Sequence, residues 1–240
     1  MIQILPIRDV DIRLVPGPWP VPEPMRVAAA AHWAQLSAAN PHLWDGRILG
    51  VTAQQGNPPL AIVDGVLRAE AREDAYSVFL HWRDSGFPEI GIRNVFGSAL
   101  IASNDGAFLY GVMGGTTANA GRVYPPGGSL EPSDVDAEGR VGLLASIDRE
   151  LEEETGLTAG EAELGPLLVT FEGARISVGR VFRFEESAVS LAERVRANLE
   201  QQEHRELDDV VIVRSAADAA AAGSVVPYAA ALVDQGLPQL

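Results

Sequence analysis

The chain has 240 residues, 47% of them hydrophobic, and a formal net charge of −15. This content can bury the core of one large domain, or of a small domain joined to a medium one. The acidic charge argues against nucleic acid as the main partner, because duplex binding relies on basic surface, and the absence of cysteine and lysine excludes disulfides, thiolate nucleophiles and Schiff-base chemistry.

Residues 1–93 are predicted to form a small N-terminal α+β subdomain. The run IRLV is typical of a strand, and a proline-rich bend separates it from a helix over MRVAAAAHWAQLSAA. VLRAEA is then predicted to be a strand, and AYSVFLHWR a short helix that ends at Gly86 and Pro88.

From about residue 94 the pattern changes to short apolar runs separated by turns, which predicts a second domain over residues 94–240. NVFGSALIAS and AFLYGVM flank the turn Asn104-Asp105-Gly106, a typical hairpin signal. A glycine-rich loop follows, and then a helix that is predicted to begin near Val141. The remaining predicted elements are two paired strands, LGPLLVTFE and RISVGRVFRFE, an amphipathic helix, SLAERVRANLEQQ, a strand, DDVVIV, and an alanine-rich helical tail.

The helix that begins near Val141 contains the acidic run RELEEETGL, Arg149 to Leu157. Helical spacing places Glu150, Glu153 and Glu154 on one face, where like charges repel. Carboxylates gathered in this way suit Mg²⁺ or Mn²⁺, because these hard cations bind oxygen ligands and neutralise the repulsion. The alternative interpretation is a solvated acidic face.

A glycine turn at Gly127 and Gly128 precedes this helix, and turn and helix together resemble the Nudix signature. In that signature a glycine leads by fixed steps to an acid, then to Arg-Glu, two further glutamates and a glycine. The first half departs from the pattern, because Asp134 stands where glutamate is usual and fourteen residues separate it from Arg149 instead of seven. The extra residues are interpreted as an insertion that forms a surface loop. The second half matches in full, at Arg149, Glu150, Leu151, Glu153, Glu154, Gly156 and Leu157.

The resemblance covers about residues 94–215 and implies an α/β fold, an α/β/α sandwich around a mixed sheet. It also implies divalent-metal-dependent hydrolysis of a nucleoside diphosphate linked to another group. By this resemblance Glu150, Glu153, Glu154 and the backbone carbonyl of Gly127 would bind the metal, and Arg149 would orient the glutamates.

Many members of the family place a further acid on a later loop, as a general base or an extra metal ligand. Glu206 is the preferred candidate here because it directly precedes the strand DDVVIV, with Glu203 and Glu172 as lesser candidates. The alternative for Glu203 and Glu206 is a polar loop before a strand.

Substrate choice is expected to depend on the leading region, because the Nudix signature recognises only metal and diphosphate. HWAQLSAANPHLWDGRILGV and AYSVFLHW weakly resemble the N-terminal region of a Nudix branch that cleaves UDP-sugars. This ranks a UDP-sugar first, ahead of ADP-ribose, dinucleotides and coenzyme A. Trp44 and Trp82 are candidates for stacking on the substrate, and Arg175 for holding its phosphate. The alternative is that the tryptophans pack a small core and that Arg175 is an exposed surface residue.

The expected partner is thus a small nucleotide substrate, with neither nucleic acid nor a membrane, and a homodimer is compatible with the sequence. No apolar run approaches the roughly 20 residues of a membrane helix, and no secretory signal is recognised, so a cytoplasmic location is expected. A catalytically silent Nudix-fold module that binds a nucleotide or a protein is the competing function.

Overall fold

A computed structural model describes residues 2–53 and 58–236. These residues form twelve strands: β1 Gln3–Ile7, β2 Asp9–Leu14, β3 Arg47–Thr52, β4 Leu60–Val63, β5 Val66–Ala75, β6 Ile92–Ala102, β7 Phe108–Met113, β8 Arg122–Tyr124, β9 Glu163–Glu172, β10 Arg175–Arg183, β11 Leu207–Val213 and β12 Ser224–Val225. They also form six α-helices: α1 Glu23–Ala39, α2 Tyr76–Asp84, α3 Leu143–Thr155, α4 Ala188–Leu199, α5 Ala216–Ala222 and α6 Pro227–Asp234.

The strands form one connected mixed sheet with β6 at its centre. β6 pairs in parallel with β10 along most of its length, and antiparallel with β3 at its start and β7 at its end. The main path runs β1-β9-β10-β6-β3-β5-β2, and β7, β8, β11 and β12 extend the sheet beyond the end of β6.

Helices cover both faces of this sheet. Successive residues of β6 point to opposite sides, so each face of the strand packs against a different set of helices. Val95, Ala99 and Ile101 share one apolar cluster with α3 and α4. Leu100 and Ala102 share another with α5 and α6. This arrangement is the α/β/α sandwich around a mixed sheet that the sequence resemblance implies.

The leading segment does not form a sheet of its own. β1 pairs antiparallel with β9, and β3 joins β6 through Val51 and Thr52. The proposed boundary at residues 93 and 94 falls inside β6, whose pairing with β3 begins at Ile92. Local sequence patterns could not reveal these pairings, because they join segments that are far apart in the chain.

An ion pair attaches α1 to the leading strands. The Asp74 carboxylate is buried and accepts hydrogen bonds from the Arg26 guanidinium, at 2.7 and 3.1 Å, and from the backbone nitrogen of Trp19 at 3.0 Å. Burial alone would raise the pKa of Asp74, but the hydrogen bonds and charge of Arg26, together with hydrogen bonds from the backbone nitrogens of Ala75 and Trp19, outweigh it and hold that pKa below its usual value. The charge is therefore paired within the structure.

The predicted insertion is an exposed turn, as expected, but its backbone is also bonded to the leading segment. The turn is closed by Arg140, whose backbone nitrogen donates to the Asp136 carboxylate at 2.8 Å. The backbone nitrogen of Leu14 donates to Gly139 O at 2.9 Å, and that of Val141 to Ile12 O at 2.9 Å. The insertion therefore extends the edge of β2.

Most of the predicted helices and strands are present with bounds that differ by a few residues. The alanine-rich tail is divided into α5 and α6, with the short strand β12 between them. None of the helices in the described ranges 2–53 and 58–236 is long and apolar enough to cross a membrane.

Candidate active site

The acidic helix α3 packs through an apolar face of Leu143, Ile147 and Leu151, which are all buried. It ends at Gly156, whose φ of 72° is the left-handed conformation that favours glycine after a helix. Gly97 on β6 allows the close approach of the helix, because a Cβ there would lie 2.6 Å from the Ile147 side chain. This packing fixes the helix against the central strand.

Two of the predicted glutamates contact the glycine turn. The Gly127 backbone nitrogen donates to Glu154 Oε2 at 2.9 Å. A Cβ on Gly128 would lie 2.6 Å from Glu150 Oε1, so the absence of a side chain there makes room for this carboxylate. Gly127 itself has a φ of 155°, and a Cβ on it would lie 2.2 Å from the backbone oxygen of Gly97. Glycine is therefore required at Gly127, where the clash is with the backbone, whereas a Cβ at Gly128 would displace the Glu150 carboxylate.

Burial of these two carboxylates disfavours their charged forms. Glu154 is 4% exposed, and its Oε1 has no hydrogen-bond partner within the described part of the chain. Burial, followed by the nearby Glu150 carboxylate, raises the pKa of Glu154 well above its ordinary value. Burial is also the main reason that the pKa of Glu150 is raised to about 7. The positive charge near the two carboxylates is too small to offset the cost of burying them in their charged forms.

Arg149 is the cation nearest to these acids. Its Nη1 lies 3.0 Å from Glu150 Oε1 and 3.0 Å from Glu153 Oε2, and its Nη2 lies 3.1 Å from Asp134 Oδ1. Its burial alone would lower its pKa, but the surrounding carboxylates outweigh that effect and raise it. Arg149 therefore contacts two of the helix glutamates.

Asp134 positions this arginine from the far side of the insertion. Its side chain is buried, and its Oδ2 accepts a hydrogen bond from the Glu131 backbone nitrogen at 2.8 Å. One carboxylate thus connects the segment before the insertion to the helix after it. The position at which the sequence departs from the signature is occupied by an acid that contacts Arg149.

The donor set fits a hard divalent cation in its chemistry. The unpartnered, buried Glu154 oxygen and the space left by Gly128 beside Glu150 would both suit Mg²⁺ or Mn²⁺, which prefer oxygen ligands. Within residues 2–53 and 58–236, however, no three acidic or histidine side chains already converge as a ligand set. Glu153 is largely exposed and turned to Arg149, so it would have to rotate to join the other two.

A cleft of about 290 Å³ lies beside the glycine turn. Five of the sequence candidates line it: Trp44, Gly127, Glu150, Arg175 and Glu206. Glu206 is exposed at the rim, where partial loss of hydration and the neighbouring Glu153 carboxylate raise its pKa. Arg175 forms an ion pair with Glu172, so its charge is partly compensated.

The two candidate tryptophans lie in different environments. Trp44 is 74% exposed at the cleft, and its ring covers Gly46, where a Cβ would lie 2.3 Å from the ring. Trp82 is 1% exposed and packs against Trp19 and Phe87 in the core of the leading segment, with its ring nitrogen donating to Pro88 O at 2.9 Å. Trp82 does not line the cleft, so the prediction that it contacts the substrate is corrected to a core role.

Several residues of the cleft were not predicted from the sequence. They include an amide, two arginines and three phenylalanines from distant segments: Asn94, Arg83, Arg122, Phe79, Phe87 and Phe96. The one local signal was Asn94, a polar residue at the start of the apolar run NVFGSALIAS.

No family model matches the chain, and no curated protein matches its sequence. Similar solved structures include a Nudix hydrolase from M. smegmatis, with 16% identity and a TM-score of 0.41 over 60% of this chain and 83% of that chain. The Nudix domain of Shewanella oneidensis NrtR, solved in complex with ADP-ribose, has 13% identity and a TM-score of 0.41 over 61% and 88% of the two chains. A Nudix hydrolase from Nitrosomonas europaea has 17% identity and a TM-score of 0.36 over 60% and 86%. At these identities and TM-scores the similarity does not by itself assign an activity to this chain.

Proposed function

We propose that this chain is a Nudix hydrolase, a divalent-metal-dependent pyrophosphohydrolase that cleaves a nucleoside diphosphate linked to another group. The observation that carries the proposal is the contact between the glycine turn and the acidic helix. Glu154 is bonded to Gly127 and buried, with its Oε1 unpartnered among the described residues. Glu150 fits beside Gly128, where it shares the Arg149 guanidinium with Glu153 and Asp134. A structural helix face would instead leave its acids in water.

Glu150, Glu153 and Glu154, with the Gly127 carbonyl, are the residues proposed to hold Mg²⁺ or Mn²⁺. A metal bound there would screen phosphate oxygens and lower the pKa of a bound water. Arg149 would keep Glu150 and Glu153 oriented through its two short contacts. Glu206, across the same cleft, is proposed to accept the proton of the attacking water.

Among substrates, a UDP-sugar is ranked first because of the resemblance in the leading segment, with ADP-ribose, dinucleotides and coenzyme A behind it. The cleft supports a small nucleotide in general terms, because it combines acidic, basic and aromatic side chains in one concave site. Arg175 and the exposed ring of Trp44 are the proposed contacts to the rest of the substrate.

The test is a panel of nucleoside diphosphate derivatives incubated with the protein and Mg²⁺, with phosphate measured after phosphatase treatment of the products. We expect at least one derivative to be hydrolysed, and Glu154→Gln to lower that rate by about a hundredfold or more without unfolding the protein. Glu152→Gln is the matched control, because Glu152 is an exposed glutamate on the same helix. Equal rates for wild type and Glu154→Gln would refute the proposal, and binding without turnover would favour the silent module.

A further inference from the structure

The cleft contains a buried amide that the proposed hydrolysis does not use. Asn94 is 5% exposed and lines the cleft, and its Oδ1 has no hydrogen-bond partner within the described part of the chain. A buried oxygen without a partner destabilises a protein, so such groups are rare unless a ligand, an ion or a water completes them. The amide therefore requires an explanation.

Its position is set by the sheet. Asn94 is opposite Arg175 in the parallel pairing of β6 and β10, and its backbone nitrogen donates to Ala174 O at 2.8 Å. Gly97, three residues along β6, donates its backbone nitrogen to Gly128 O at 3.2 Å. Three residues of a strand span about 10 Å, so the amide lies near the glycine turn but separate from it.

Aromatic side chains line the same cleft as the amide. Phe96 shares a strand face with Asn94, and both line the cleft together with Phe79 and Phe87. Phe87 has a φ of 55°, an uncommon conformation for a bulky residue, and its ring packs edge-on against Trp82 at 4.8 Å. Phenylalanine faces can stack on a flat ring, and an amide can hydrogen-bond the edge of that ring.

We propose that Asn94, with Phe79, Phe87 and Phe96, forms a subsite that binds a nucleobase, in which the amide pairs with an adjacent donor and acceptor on the base edge. This inference rests on the proposed function, because it identifies the part of the substrate that the glycine turn and glutamates cannot recognise. The four residues are called the amide subsite below, and Glu150, Glu154, Gly127 and Gly128 the acidic site. Recognition of a base requires no metal.

The test therefore uses uncharged nucleosides in the presence of EDTA. Binding of uridine, cytidine, adenosine and guanosine is measured by calorimetry or NMR titration and compared with binding of ribose. We expect at least one nucleoside to bind more tightly than ribose, and Asn94→Leu to weaken that binding by about tenfold or more. Asn94→Leu should also melt at or above the wild-type temperature, because it removes an unpartnered polar group.

Asn198→Leu is the matched control. The side-chain nitrogen of Asn198 is also buried without a partner among the described residues, but Asn198 does not line the cleft. The Asn198→Leu substitution should leave nucleoside binding unchanged. Asn94→Ala provides a second test of the amide with a smaller side chain, should leucine prevent folding.

Three results would overturn the inference. They are that no nucleoside binds more tightly than ribose, that the folded Asn94 variants bind nucleosides as tightly as the wild type does, or that both Asn94 variants melt well below the wild-type melting temperature. Glu154→Gln separates this inference from the proposed function, because it should abolish hydrolysis and leave nucleoside binding intact. Nucleoside binding without hydrolysis of any derivative would refute only the hydrolase. Hydrolysis with unchanged base preference in Asn94→Leu would refute only the amide subsite.

Discussion

The acidic site is made by one turn and one face of a single helix, whereas the amide subsite takes residues from α2, the segment after it and β6. Glu150 and Glu154 are placed by the spacing of a single helix, and the glycine turn is bonded to the same strand on which that helix packs. Asn94 and Phe79 lie in different elements that line one cleft, and the leading segment that contains α2 is joined to β6 through β3. The glutamates of the acidic site are thus placed by the geometry of one helix, whereas the amide subsite depends on how different elements pack against one another.

The two tryptophans provide the largest test of this difference. Trp82→Ala should lower the free energy of unfolding by about 3–5 kcal/mol, because it removes a buried ring from the core beside the amide subsite. Trp44→Ala should change it by no more than about 0.5 kcal/mol, because that ring is mostly in water. Denaturant unfolding of both variants measures this. The expectation for Trp44 is instead a higher KM for the preferred substrate, and a comparable loss of stability in both variants would contradict it.

Metal binding should distinguish the acidic site from the rest of the cleft. Mg²⁺ or Mn²⁺ at a hundred times its Kd should stabilise the native protein by about 2.7 kcal/mol, because the unfolded chain lacks the assembled site. Glu154→Gln should lose most of that gain, and Asn94→Leu should retain it. Melting temperature against metal concentration is the measurement. A gain that survives in Glu154→Gln would place the metal elsewhere.

The glycine turn can be tested without changing any charge. Gly128→Ala would put a Cβ 2.6 Å from Glu150 Oε1, so the carboxylate must move and the hydrolysis rate should fall by about tenfold to a hundredfold. Gly115→Ala is the control, because a Cβ there meets no atom within 4 Å. Nucleoside binding in EDTA should be unaffected by either change. If Gly128→Ala hydrolyses the substrate as fast as Gly115→Ala, hydrolysis does not depend on the position of the Glu150 carboxylate beside the turn.

The smallest expected effect concerns the acid that positions Arg149. Asp134→Asn removes the charge opposite the Arg149 Nη2 and should lower the rate of hydrolysis by about tenfold, as loss of a supporting partner at a metal site commonly does. Asp136→Asn is the comparison, because Asp136 pairs with Arg140 in the exposed turn instead. Steady-state kinetics should show the loss only in Asp134→Asn. Equal rates would mean that Arg149 is held by the glutamates alone.

The acidic run, its spacing and the family resemblance were sufficient to predict the helix and the approach of Arg149 to glutamates of the same helix, whereas metal binding by Glu150 and Glu154 stays a prediction. These features could be predicted because helical geometry fixes which residues three or four apart share a face. Short apolar runs separated by turn residues predicted most strands and the β6–β7 hairpin, whose turn contains Gly106 with a positive φ. The assignment of Glu206 as the base stays a prediction.

Only the tertiary structure decided which polar and aromatic residues line the cleft. Trp44 and Trp82 look equivalent in the sequence, because burial depends on which segments pack around a ring and not on the residue itself. The role of Asp134 across the insertion, the pairing of β1 with β9 and the position of Asn94 opposite Arg175 are likewise long-range. Local spacing therefore places the glutamates of the acidic site on one helix face, whereas the position of Asn94 opposite Arg175 results from a strand pairing that no local pattern records.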